Sequence, residues 1–153
     1  MLEVTEHYDR VRRFMRLAGQ ETPAAPLVPD EETRRLRAEL ILEEALETIE
    51  ALGFRVKPVK GVGTIASTRC VELVADKQPS LLDTIDGCCD ITVVTTGTLI
   101  AHGIPDLPFQ TAVDENNLAK FGPGGYRRDD GKWIKPPDHP DVKDEFRRLL
   151  GAD

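Results

Sequence analysis

Three glutamates in the stretch EEALE, Glu43, Glu44 and Glu47, stand three and four residues apart. At that spacing a helix carries all three on neighbouring strips of its surface. Carboxylates so placed repel one another, so they either face water and basic side chains or share a cation. Glu39 and Glu50 extend the stripe. A single stripe of this kind is what a solvated acidic face looks like. A second stripe shifts the balance: Asp83, Asp86 and Asp90 fall at i, i+3 and i+7 in a stretch made otherwise of Leu, Ile, Val, Thr, Gly and Cys. Charge in apolar surroundings needs a partner. Two antiparallel helices presenting carboxylates to each other would form an all-oxygen site suited to Mg²⁺ or Mn²⁺, hard ions that also hold substrate phosphates.

Neighbouring chemistries are excluded by residue type. A di-iron bundle needs Glu-x-x-His motifs, but His7, His102 and His139 lie away from both acidic stretches. Zinc is excluded for the same reason. A Nudix-type site needs an Arg-Glu pair beside the Glu-Glu pair and a glycine well upstream, and neither is present. Asn117 and Lys120, in DENNLAK, fall three apart on one helical face. Beside a carboxylate–metal cage they gain roles as an amide and an ammonium for phosphate oxygens. The tail that follows carries Tyr126, Arg127, Arg128, Lys132 and Lys135 in an otherwise acidic chain. Two readings of it stay open: a basic, glycine-flexible lid over a triphosphate, with Arg127 and Lys132 on the phosphates, or a surface kept polar for solubility.

Five helices and one short insert must position these groups. Val4, Tyr8, Val11, Phe14, Met15 and Leu17 predict an amphipathic helix ending at Gly19. A proline-rich linker follows, then Asp30 as an N-cap and a long helix to Gly53, with Leu36, Leu40, Leu42, Leu46, Ile49 and Leu52 as its core face. Residues 54–79 turn β-branched and glycine-bearing, which fits a short hairpin or an ordered loop. Ser80 should cap a third helix running to Gly103, in which Gly87 and Gly97 permit close packing or close approach of a ligand. A fourth helix, PFQTAVDENNLAKF, ends at Gly122. Residues 123–153 read as an irregular basic tail closing in a short helix over DVKDEFRRLLG.

With 153 residues the chain is read as one domain, 1–153, and an aromatic share of 5% leaves a core of aliphatic side chains suited to helices. A formal charge of −7 argues against binding a nucleic-acid polymer, which needs a basic stripe. No apolar signal core and no run of membrane-spanning length is found, so a cytoplasmic protein with no membrane partner is expected. Cys70, Cys88 and Cys89 form no CxxC pair and read as buried, reduced thiols.

In this order, EEALE, DGCCD, NNLAK and FGPGGYRRDDGKWIKPPDHP resemble the MazG-like all-α nucleoside triphosphate pyrophosphohydrolases over roughly residues 10–140. That superfamily also holds phosphoribosyl-ATP pyrophosphohydrolases and dimeric dUTPases. The resemblance implies an all-α bundle of four to five helices, assembled as a homodimer or a dimer of dimers. It implies hydrolysis of a nucleoside triphosphate to the monophosphate and pyrophosphate, with Mg²⁺ or Mn²⁺ as cofactor. The family pattern pairs Glu-Glu-x-x-Glu with Glu-x-x-Asp. Glu44, Glu47 and Asp90 would then hold one ion, and Glu43 would bridge to a second or act as general base. Gly87 stands where the pattern has its last glutamate, so the metal role passes to Asp86, with Asp83 as the fallback. Two other readings remain beside this one. One is the same cage acting on phosphoribosyl-ATP; the other is a non-catalytic helical dimer or regulatory nucleotide-binding module. A base pocket would be lined by apolar side chains of the first two helices, Phe14 among them.

Overall fold

A computed structural model describes residues 3–151. The chain is mostly helical, with only short strands, and forms two compact units. One is Val28–His102; the other joins the residues up to Leu27 with those from Gly103 onward.

The Val28–His102 unit holds the acidic stripes. Helix α2 spans Glu31–Ala51. Asp30 caps it by accepting from Thr33 N at 2.8 Å, and the Asp30 carboxyl is held below its ordinary pKa mainly by that backbone bond. Gly53, at φ 93°, turns the chain out of the helix, a conformation that costs other residues strain. Strands β1 (Arg55–Pro58) and β2 (Val71–Val74) pair antiparallel, with Arg55 opposite Val74 and Pro58 opposite Val71. A single 3₁₀ turn, Thr68–Cys70, leads into β2. The expected hairpin within 54–79 is therefore present. Helix α3 runs Leu81–Ala101, and Ser80 Oγ accepts from Asp83 N at 3.3 Å as its cap.

Helices α2 and α3 pack antiparallel, and the register is tied at their joined ends. Ser80 N donates to Ala51 O at 2.9 Å, and Lys77 N donates to Gly53 O at 3.3 Å. Small residues are buried at the contact, and four of the leucines are not. Thr48 and Ala51 are buried, whereas Leu36, Leu42, Leu46 and Leu52 are 40–60% exposed. This corrects the expected core face. Leu40 and Ile49 of that face are half-buried, and α3 packs on the side of α2 that carries Thr48. The thiols are corrected likewise: all three are free, but Cys88 and Cys89 are exposed and Cys70 is half-buried. Two adjacent positions on α3 cannot both face α2.

In the second unit, α1 spans Glu6–Leu17 and buries Tyr8, Val11 and Met15. Thr5 caps α1 through Tyr8 N at 3.0 Å, while its own N–H donates to Asp106 Oδ1 at 3.0 Å. Helix α4, Asp106–Ala119, begins two residues before the expected PFQT start and ends before Phe121. Pro108 occupies its third position, where the missing N–H loses no helical bond. The tail is less irregular than expected. Strands β3 (Tyr126–Arg127) and β4 (Trp133–Ile134) form a two-residue ladder, and α5 follows at Val142–Leu150. Phe146 packs edge-on against Phe109, with centroids 5.5 Å apart. No single helix among the described residues is long and apolar enough to cross a membrane.

Candidate functional site

Antiparallel packing with Thr48 against Gly87 sets the Glu44 turn of α2 beside the Asp90 turn of α3. The two acidic stripes thus face a common zone. Glu44 and Asp90 are its half-buried members, and Glu43, Glu47, Asp83 and Asp86 stand exposed around them. A cleft of about 430 Å³ adjoins this zone, with Glu47, Asp83, Asp86, Gly87 and Asp90 in its wall and Glu43 and Glu44 outside its lining. Lys77 and Glu50 are paired at its edge. That bond keeps the Glu50 carboxyl below its ordinary pKa.

Electrostatics singles out Glu44. Its pKa is raised, first by partial burial and then by the charges of Asp90, Glu47, Glu43 and Asp86. Asp86 is among those charges and Asp83 is not. None of the six carboxylates makes an ion pair among the described residues. The donors are all oxygen, which fits a hard divalent cation. Among the described residues no three such side chains stand close enough to grip one ion as placed. The helices bring the carboxylates into one another's fields without forming a finished ligand shell.

The phosphate-binding candidates all belong to the other unit. Lys120 Nζ donates to Asn117 Oδ1 at 2.6 Å, so the two meet as their spacing predicts, although Lys120 is the C-cap of α4 and not an interior residue. Trp133 Nε1 donates to Lys120 O at 2.5 Å, and its ring lies against Phe121, with centroids 4.8 Å apart. Arg127 is exposed on β3, and Lys132 is exposed in the β3–β4 turn, where Asp130 accepts its N–H at 3.1 Å. Phe14 is 61% exposed.

Sequence reasoning missed Thr48, Lys77 and Asn116. Asn116 holds the tail to α4: its amide donates to Pro140 O at 3.0 Å, and its carbonyl lies 3.0 Å from His139 Nε2. In the Asn-Asn pair the anchoring residue and the candidate phosphate residue differ by one position. No spacing rule separates them.

Residues 11–117 match a family model of nucleotide pyrophosphohydrolases within the MazG-like superfamily. The family is described as phosphoribosyl-ATP pyrophosphohydrolase, and the chain belongs to it. This makes it a hydrolase of phosphoric anhydrides in nucleotides. The match includes both acidic stripes and Asn117 but ends before Lys120, Arg127 and Lys132. A search of curated proteins finds no match.

Proposed function

We propose that this chain is a Mg²⁺-dependent nucleoside triphosphate pyrophosphohydrolase that releases the nucleoside monophosphate and pyrophosphate. The observation that carries this reading is the crowding of Glu44 by Glu43, Glu47, Asp86 and Asp90, with no basic side chain of the described residues among the charges acting on it. Five carboxylates held in mutual repulsion are costly unless something positive and exchangeable joins them. Glu44, Glu47, Asp86 and Asp90 would hold the ion, with Mn²⁺ as an alternative. Once bound, it would neutralise charge on the phosphate oxygens. Glu43 is assigned as general base: it takes a proton from the attacking water as that oxygen bonds to the α-phosphorus, and the α–β bridging oxygen leaves with pyrophosphate. Asn117, Lys120, Arg127 and Lys132 are assigned to substrate phosphates. The exposed leucines of α2, with Leu81, Leu82 and Ile85 of α3, support a homodimer or dimer of dimers.

The family match supports phosphoribosyl-ATP as a second substrate reading on the same carboxylates. A pyrophosphate-release screen decides between them, run with Mg²⁺ over ribo- and deoxyribonucleoside triphosphates and phosphoribosyl-ATP. Turnover of a triphosphate, lost in Glu44→Gln and Asp90→Asn, is the expected result. Preference for phosphoribosyl-ATP would transfer the assignment to the second reading. Wild-type rates in both variants would sink the site assignment, and no turnover together with no Mg²⁺ binding would favour a non-catalytic module.

A further inference from the structure

The two carboxylate helices approach most closely at one point. Gly87 is buried, and a Cβ placed on it would lie 2.4 Å from Thr48 Oγ1 and 3.1 Å from both Cα and Cβ of Thr48. Thr48 has little room to yield. It is buried, and its hydroxyl donates to Glu44 O at 2.7 Å. The contact sits among the acidic residues themselves: Thr48 is one turn past Glu44 and adjacent to Glu47, while Gly87 adjoins Asp86 and precedes Asp90 by three. Helix separation follows the size of the side chains at the contact. Any side chain at position 87 must therefore move α3 away from α2 or turn it, shifting Asp86 and Asp90 together relative to Glu44 and Glu47. Mg²⁺ and Mn²⁺ sites tolerate such shifts poorly, because ligand distances vary little.

We propose that Gly87, seated on Thr48, is a positioning residue that fixes the spacing between the Glu43/Glu44/Glu47 helix and the Asp86/Asp90 turn, and that position 87 has no room for a ligand. The missing glutamate of the Glu-x-x-Asp pattern is on this view an adaptation of the helix contact, with Asp86 supplying the carboxylate from the next position. The inference rests on the divalent-cation reading of these carboxylates. It leads to an outcome opposite to that of simple motif repair. Restoring the pattern with Gly87→Glu adds a carboxylate yet weakens the site.

The test is Mn²⁺ titration of the full chain by calorimetry, with circular dichroism to follow folding and pyrophosphate release measured in parallel. Wild type is expected to bind Mn²⁺, and both Gly87→Ala and Gly87→Glu should bind at least about ten-fold more weakly. Gly87→Ala/Thr48→Gly, which removes the opposing side chain, should recover to within about three-fold of wild type. Ile100→Ala, a destabilising change at the far end of α3, should leave affinity unchanged, which separates positioning from general loss of stability. If Gly87→Ala does not fold, the double variant carries the test alone, and a folded double variant with affinity still lost overturns the proposal. Tighter binding by Gly87→Glu overturns it as well. Absence of Mn²⁺ binding in wild type would overturn the cation reading itself, a failure distinct from unchanged affinity in the Gly87 variants.

Discussion

Neutralising Glu44 should make the metal-free protein more stable. Glu44 is half-buried, its pKa is raised first by that burial and then by Asp90, Glu47, Glu43 and Asp86, and among the described residues it has no ion pair to lose. Two charges about 6 Å apart repel by roughly 0.7 kcal/mol in water and about 3 kcal/mol at an effective dielectric near 20. A half-exposed position lies toward the smaller figure, and salt screens the more distant neighbours. Relief of the group together is then on the order of 1–2 kcal/mol, or about 2–8 °C in Tm for a chain of this size. The assay is thermal unfolding of wild type and Glu44→Gln in EDTA and again in excess Mg²⁺. In EDTA the variant should melt higher. In Mg²⁺ wild type should gain, by about 1.4 kcal/mol at ten times the dissociation constant, while the variant gains little. A variant that melts lower than wild type in EDTA would refute the crowding argument, since it would mean that the carboxylate has a stabilising partner. Equal gains from Mg²⁺ would remove Glu44 from the ligand set.

Three further outcomes are expected. Because the folded-state pKa of Glu44 is raised, protonation favours the folded state. This group's destabilisation is fully present above that pKa and fades as pH falls through it, while Mn²⁺ affinity falls over the same interval, at higher pH than for an ordinary glutamate; titrations between about pH 4 and 7 test both, and Glu44→Gln should flatten the stability component. Ile100, 1% exposed in α3, should cost about 2–5 kcal/mol as Ile100→Ala, read from denaturant unfolding. Asn116→Ala should release the tail from α4 and speed proteolysis between Phe121 and Pro140, leaving Met15 and its neighbours protected from hydrogen exchange.

The helices were legible because their signals are local. Asp30 and Ser80 are capping residues at the ends of long runs without proline, and they cap as expected. The acidic stripes could be read for the same reason, since helical spacing alone aligns Glu43 with Glu47 and Asp86 with Asp90. What pairs the stripes is not local. Thr48 carries no signal that it will meet Gly87, and only the joined ends of α2 and α3 impose that register. The leucines misled because hydrophobicity marks what leaves water, not which partner covers it. Leu42 and Leu46 satisfy a periodic pattern yet stand exposed within the chain, while threonine, alanine and glycine are buried at the helix contact. The tail was harder still: its contacts include bonds from Asn116 and Trp133 to backbone carbonyls far along the chain, which no local pattern announces.

The hydrogen bonds that join Ala51 to Ser80 and Gly53 to Lys77 close the β-hairpin at its neck. Everything between them is a side branch whose two ends already meet. A closed neck decouples the branch from the helices it interrupts, because its length can change without sliding Glu44 past Asp90, and each doubling of a flexible loop costs only about 0.6 kcal/mol. Insertions, deletions and exchanged sequences can therefore accumulate between Arg55 and Asp76 while the carboxylates stay in step. The hairpin is where this architecture can acquire new surface without disturbing its chemistry, and where a tag or reporter can be inserted for the same reason.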